Sequence, residues 1–207
     1  MPYTKEHKAR TRARIVRAAA AAFRRKGVHA VGIPQLMGEA GLTHGGFYAH
    51  FPNKEALVAE ACTAALDDIG QQLIQAGRGA PPEEKLRTVV RWYLSRTHRD
   101  QPELGCAIPA LGTEIARESP EVRAAFTAGL ERYAGQLAEV LPGPEDGHAR
   151  SEDVLQLLAG MAGAVLMSRV VDNPALSDRI LLDARNFYMA AFAARIGQPG
   201  QSEQSEI

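Results

Sequence analysis

Apolar residues recur at helical spacing almost from the start of this chain. Ile15, Ala18, Ala19, Ala22 and Phe23 fall on the i, i+3, i+4, i+7, i+8 stripe of an amphipathic helix. Gly27 is placed to close that helix as the residue after its C-cap. The spacing predicts a short helix over 33–40 that stops at Gly41, and a second beginning after Thr43, whose hydroxyl suits its first free amides. Asn53 is expected to cap a long helix with Val58, Cys62, Ala65, Leu66, Ile69 and Leu73 on one face, closing near Gly77. Pro81 and Pro82 then open a helix to about His98, with Leu86, Val89, Val90, Tyr93 and Leu94 turned inward. Pro109 lies near the start of a short helix to about Arg117, and Ser119-Pro120 reads as N-cap and first residue of a helix to about Leu141. Residues 142–150 form the longest loop. Ser151 and Ser177 are plausible caps for the last two helices, which Asn173-Pro174 divides. No alternating run of Val, Ile, Thr or aromatic residues interrupts the series, so the pattern predicts an all-α chain of about nine helices.

Composition changes this picture in one respect. The 207 residues suffice for a substantial core, and their 24 basic and 24 acidic side chains cancel. The cancellation is uneven. From Met1 to Asn53 nine basic residues face only Glu6 and Glu39, a net charge of +7, while the remainder carries −7. A basic head on an acidic body suits a polyanion at one end, although a solvated amphipathic helix can be basic for no further reason. There is no unbroken apolar run of about 18 residues of the kind that spans a membrane, nor the basic-then-apolar start of a signal peptide. Two cysteines, Cys62 and Cys106, make no disulfide framework and suit a reducing cytoplasm. The expected division is a basic head at 1–53, a larger helical domain at 54–196 and a polar tail at 197–207 that frays.

The chemistry of the head follows from the two short helices joined by Ala40-Gly41-Leu42-Thr43. That is the length and composition of a helix-turn-helix, with Leu36, Ala40, Leu42 and Phe47 expected as its small core. In such a unit the second helix enters the major groove with its N-terminal residues at base edges. Helical hairpins without any DNA role share the pattern.

The run from Gln35 to Leu57, with its Ala40-Gly41, Tyr48-Ala49-His50-Phe51 and Lys54-Glu55-Ala56-Leu57, resembles the signature of the TetR family of regulators. The arginine-rich helix before it, ending Ala22-Phe23-Arg24-Arg25-Lys26-Gly27, matches as well; Gly32 departs from the family's usual Ser or Thr cap at small cost. About fifty-five residues carry the resemblance, and beyond about Ala76 it is one of architecture. It implies that Thr43 and Tyr48 touch phosphates and groove, that Lys54 and the helix amides around it hold one phosphate, and that His44, Gly45 and Gly46 face the DNA. Thr43 is equally suited to capping. His50 can reach a phosphate or serve as a packing histidine. Two glycines inside a helix cost roughly 1 kcal/mol each, which suggests close approach to the DNA, with simple tolerance as the other reading. The arginines of the first helix read as solvated charge near the phosphate backbone.

The resemblance further implies a homodimer through the last two helices, a pseudo-palindromic double-stranded operator, and a small-molecule effector bound among the middle helices. Leu157, Leu158, Gly160, Met161, Gly163, Ala164, Leu166 and Met167 mix small and large apolar residues, as closely approaching helices require, and Ile180, Leu181, Ala184, Phe187, Tyr188 and Ala191 form the facing stripe. Trp92, Tyr93, Cys106, Phe126, Tyr133 and Met161 are candidate pocket residues, each also suited to plain core. Cys106 precedes the Pro109 helix; a thiol at a helix N-terminus is poised for thiolate chemistry, while buried cysteines are usually inert. The resemblance adds that some relatives sense electrophiles or oxidants through a cysteine here. The expected function is therefore an operator-binding repressor relieved by an effector or by modification of Cys106. The alternatives are a helical interaction module without DNA binding and a thiol enzyme built on Cys106. No phosphate loop, nucleophile elbow or metal-ligand pairing occurs in the sequence, and His7, His29, His44, His50, His98 and His148 are scattered, so no cofactor or metal is expected.

Overall fold

The computed structural model describes residues 4–143, 149 and 151–196. Among them the fold is all-helical, with nine α-helices and two 3-10 helices and no strand. The α-helices are α1 (Lys5–Lys26), α2 (Ile33–Glu39), α3 (Lys54–Arg78), α4 (Pro82–Tyr93), α5 (Arg96–Asp100), α6 (Ala107–Ile115), α7 (Pro120–Val140), α8 (Ser151–Val170) and α9 (Pro174–Ile196). The 3-10 helices are His44–Ala49 and Pro102–Leu104. These elements fall into two compact units, one drawn from Met1–Gln71 and Thr97–Tyr133, the other from Gln72–Arg96 and Ala134–Ile207.

In the first unit the predicted stripes bury as expected. Ile15, Ala19, Ala22 and Phe23 of α1 and Leu57, Val58, Ala61, Cys62, Ala65, Leu66 and Ile69 of α3 are inside, with Leu36, Met37, Phe47 and Phe51 between them. Leu42 is only half-buried. Gly27 ends α1 at φ 86 and its N–H donates to Phe23 O at 2.7 Å. Gly41 turns at φ 66, and Leu42 N–H returns to Met37 O at 2.8 Å, closing α2 with a left-handed residue that only glycine adopts freely. Asn53 caps α3 through Ala56 N–H at 2.8 Å, and Ser119 accepts from Val122 N–H at 3.4 Å ahead of α7.

Three expectations about element ends are corrected. The helix predicted from Pro81 to His98 stops at Tyr93 and resumes as α5. Leu94 turns out of the helix at φ −90, ψ 41, and its orphan carbonyl is taken by Arg185 Nη2 at 2.7 Å, a partner 91 residues away. The cap of α9 is Asn173, whose Oδ1 accepts from Ala175 and Leu176 N–H at 3.0 and 3.1 Å; Ser177 lies inside the helix and donates to Ser168 O at 2.6 Å. Third, α6 starts at Ala107 with Cys106 as its cap. The loop from Pro142 to Arg150 and the tail from Gly197 fall largely or wholly outside the described residues.

The second unit buries Leu86, Val89, Val90, Tyr93 and Leu94, and packs α8 on α9 through Leu157, Leu158, Met161, Val165 and Leu181. Gly160 is required at that crossing, because a Cβ there would collide with the Tyr188 hydroxyl. The other face of the pair is apolar and outside: Met167 is 59% exposed, Val170 75% and Phe187 63%. By length and composition alone α8 is apolar enough to cross a membrane, the one such helix among the described residues, although Glu152, Asp153 and Arg169 interrupt its apolar run.

Candidate nucleic-acid interface

Backbone bonds shape the segment after Gly41. It folds as the 3-10 helix His44–Ala49, where the pattern had predicted an ordinary short helix. The physical reason lies in Gly45 and Gly46. Each withdraws roughly 1 kcal/mol from an α-helix, and one or two turns are too few to recover the cost of nucleation. Bonds of i+3 type take over, from Gly46 N–H to Thr43 O at 3.1 Å and from His50 N–H to Phe47 O at 2.9 Å. Neither glycine sits at positive φ. A Cβ at Gly45 would meet nothing within 4 Å, and one at Gly46 would make an ordinary 3.7 Å contact with Met37. Nothing inside the fold therefore demands glycine at either position.

Phe47 anchors this segment. It is fully buried, stacked on Phe51 with ring centroids 5.7 Å apart. Tyr48 meets its edge at 5.2 Å but stays 64% exposed. Thr43, His44 and Gly45 are exposed beside it. The Thr43 hydroxyl caps no amide of the helix it precedes, contrary to the capping role open to it in the sequence. Thr43, His44, Gly45, Gly46 and Tyr48 are thus brought together on one short surface segment. His50, at its end, is half-buried, and its Nδ1 is buried without a hydrogen-bond partner. Burial of the ring lowers His50 below the usual histidine range, and the positive charges of Lys8, Arg12 and His7 lower it further. Burial and neighbouring charge thus both disfavour the imidazolium.

Lys54 opens α3, as expected. Its Nζ donates to Val28 O at 2.7 Å and lies 6.0 Å from the centre of the Phe23 ring, so at least one of its three donors is engaged within the fold. The arginines of α1 divide in the same way. Arg12 forks onto both carboxylate oxygens of Glu60, donates to His50 O and lies 4.1 Å over the Phe51 ring. Arg24 donates to Glu103 O at 3.0 Å through Nε, and Arg25 pairs with Glu39 at 3.3 Å. Arg12 and Arg24 are structural, against the reading of all of them as solvated charge, while Arg25 and Glu39 are both exposed. Arg12 and Glu60 carry no sequence signal, since 48 residues separate them. Lys5, Lys8, Arg14, Arg17 and Lys26 form no ion pair among the described residues and remain available to an anion.

The pocket candidates separate between the two units: Cys106, Phe126 and Tyr133 in the first, Trp92, Tyr93 and Met161 in the second. Cys106 is fully buried. Its Sγ accepts from Ile108 N–H at 3.5 Å, and its own N–H donates to His98 Nε2 at 2.9 Å. Burial raises the Tyr133 phenol well above its ordinary range, and an ionised Cys106 would raise it further; its hydroxyl makes no hydrogen bond among the described residues. Burial pushes the other thiol, Cys62, up to about 12, with Glu118 adding to the effect. Among the described residues no group of three His, Cys, Asp or Glu side chains could hold a metal.

Two helices of these lengths, meeting at a glycine turn with the second left on the surface beside free cations, are the arrangement by which helix-turn-helix proteins enter the major groove. Known proteins narrow the class. Residues 15–61 match the family described as "Bacterial regulatory proteins, tetR family", and residues 82–182 match "Tetracyclin repressor-like, C-terminal domain". The HTH-type transcriptional regulator YxaF of Bacillus subtilis is 28% identical over 145 residues, covering 69% of this chain and 74% of that protein. A TetR-family regulator from Cytophaga hutchinsonii superposes at a TM-score of 0.72 with 20% identity, covering 92% of this chain and 98% of the other. RolR, solved with its ligand resorcinol, superposes at 0.57 with 20% identity over 94% of this chain and 91% of its own. The chain belongs to the TetR family and is a DNA-binding transcriptional regulator.

Proposed function

We propose that the chain acts as a cytoplasmic homodimer that places two copies of the 43–50 segment in successive major grooves of a pseudo-palindromic operator, about 34 Å apart. The observation that carries this reading is the exposed segment itself, where two glycines that the fold does not need stand between an uncapped Thr43 hydroxyl and an exposed Tyr48. Glycine there lets a backbone approach a phosphate or base edge more closely than any other residue. In this reading residues 1–53 bind DNA and 54–196 sense and dimerise; the separate family matches at 15–61 and 82–182 support a division of this kind. Phe187, Val170 and Met167 support dimerisation through α8 and α9, since several large apolar side chains stand exposed on this one helix pair.

The default sense of regulation is repression relieved by an effector. RolR's resorcinol favours a small ring-bearing molecule as the class to try, and the buried Tyr133 hydroxyl supplies a hydrogen-bonding group without a protein partner. Modification of Cys106 is the other route; its complete burial means that a reagent must await an opening of the fold. No enzymatic step is assigned to it. The test is a mobility shift on the DNA upstream of the chain's own coding sequence, with and without an electrophile, for wild type and Cys106→Ser. A specific shift lost by wild type on treatment and kept by the variant makes Cys106 the switch. A specific shift indifferent to treatment leaves a reversible ligand. No sequence preference on any operator in a genome-wide binding selection would sink the reading.

A further inference from the structure

We propose that Glu114 is a positioning residue for operator recognition, setting the Gly27–His29 turn and through it the α2 and His44–Ala49 pair. The inference rests on the DNA-binding reading above and deepens it.

The turn that leads from α1 into α2 is gripped from both sides. Val28 N–H donates to Glu114 Oε2 at 2.7 Å, and His29 N–H reaches the same oxygen at 3.4 Å. Val28 C=O accepts from Lys54 Nζ at 2.7 Å. One peptide neighbourhood thus has its donor on an anion and its acceptor on a cation, each a charge-assisted bond of the stronger kind. The close approach is written into the sequence at Gly27: a Cβ there would stand 2.6 Å from Glu114 Oε1, and the φ of 86 independently asks for glycine. A second carboxylate follows four residues on, with Glu118 Oε1 lying 3.1 Å from His29 Nε2.

Glu114 stands near the end of α6, and the start of that helix is also fixed. Cys106 N–H is held by His98 Nε2, and Gly105 leaves no room for a Cβ against the same imidazole. Arg24 of α1 donates to Glu103 O just before it. α6 therefore acts as a strut between the Cys106 cap and the turn, eight residues or about 12 Å along its axis. A hydrogen bond weakens steeply when stretched beyond its normal range, so a small slide of α6 releases the turn and with it the set of the recognition segment.

The test compares wild type with Glu114→Ala and Glu114→Gln, the latter keeping an acceptor oxygen but losing the charge. Amide exchange of the free protein reads the grip directly. Glu114→Ala should speed exchange at Val28 by about tenfold, and Glu114→Gln by less. Affinity for the operator should fall by about tenfold in the Ala variant and partly recover in Gln, while affinity for non-operator DNA of equal length stays within about twofold. Unchanged exchange at Val28 overturns the grip. Faster exchange with undiminished operator affinity overturns the positioning role. Equal losses on operator and non-operator DNA, or an unfolding midpoint lowered as much in Gln as in Ala, assign Glu114 a merely structural part. Absence of operator preference in wild type defeats the DNA-binding reading and the positioning role together, while exchange at Val28 still decides whether the grip exists.

Discussion

The recognition segment at 43–50 and the turn at 27–29 keep their shape by opposite means. The turn has its polar groups tied by charged side chains from distant parts of the chain, Glu114 on the amides and Lys54 on the carbonyl. The recognition segment has backbone bonds, one buried anchor in Phe47, a single charged donor in Arg12 at its His50 end, and an exposed row from Thr43 to Tyr48. The difference separates polar residues that build the fold from those left for a partner. A charge that already satisfies a buried or half-buried group cannot be withdrawn to a phosphate without leaving that group orphaned. Arg12 and Arg24 stand on the building side, and Lys54 shares in it; Thr43, His44 and Tyr48 stand on the other.

The largest expected effect tests the building side. Arg12→Ala removes a forked pair with Glu60, a bond to His50 O and the cation over Phe51 at once, and strands the Glu60 carboxylate. The site is only partly buried, so a loss of about 2 kcal/mol is expected, read as a lower midpoint in urea. Operator and non-operator affinity should fall together, since the support of the whole segment is lost. A variant of full stability with only its DNA affinity reduced would move Arg12 to the other side.

That assignment was beyond the reach of the sequence, and the reason is general. Helices and the apolar faces they bury follow from spacing over a few residues, so α1, α3 and the glycine ends of α1 and α2 were legible, as was the surface row Thr43 to Tyr48 through its resemblance to known regulators. Contacts between residues 48, 86 or 91 positions apart leave no local trace. For that reason the break at Leu94, the pairing of Arg12 and the grip of Glu114 appear only in three dimensions. Capping was legible where one candidate stood alone, as at Asn53, and misread where Ser177 competed with Asn173 four residues earlier. The extent of the 3-10 geometry was in principle written in Gly45-Gly46, whose cost to an α-helix exceeds what so short an element regains.

The middle of the scale tests the recognition side. Thr43→Ala removes a hydroxyl that caps nothing, and Tyr48→Ala a ring that is mostly exposed. Stability should move by no more than about 0.5 kcal/mol for Thr43→Ala. Operator affinity should nevertheless drop by about tenfold per half-site for either change, the worth of one hydrogen bond to a charged group. Calorimetric unfolding and a binding titration on the same samples give both numbers. Stability lost in proportion to affinity would erase the distinction between the two regions.

The smallest effect concerns His50, which stands between them. Its imidazole is lowered by burial and by Lys8, Arg12 and His7, so between its folded value and the usual value of about 6.5 the unfolded chain holds a proton that the fold does not. The free protein should therefore lose a little stability as pH falls through that window and regain it above. Bound DNA has the opposite sign. Phosphate oxygens beside the ring favour the imidazolium, so binding should take up protons and operator affinity should rise as pH falls, by about threefold from pH 7.5 to 6. His50→Asn should flatten both trends relative to wild type, which separates His50 from His7 and His44. Equal pH slopes for wild type and variant on the operator would leave His50 a packing residue. A slope on DNA that the variant flattens would place a phosphate contact at the imidazole itself, whose Nδ1 the fold leaves without a partner.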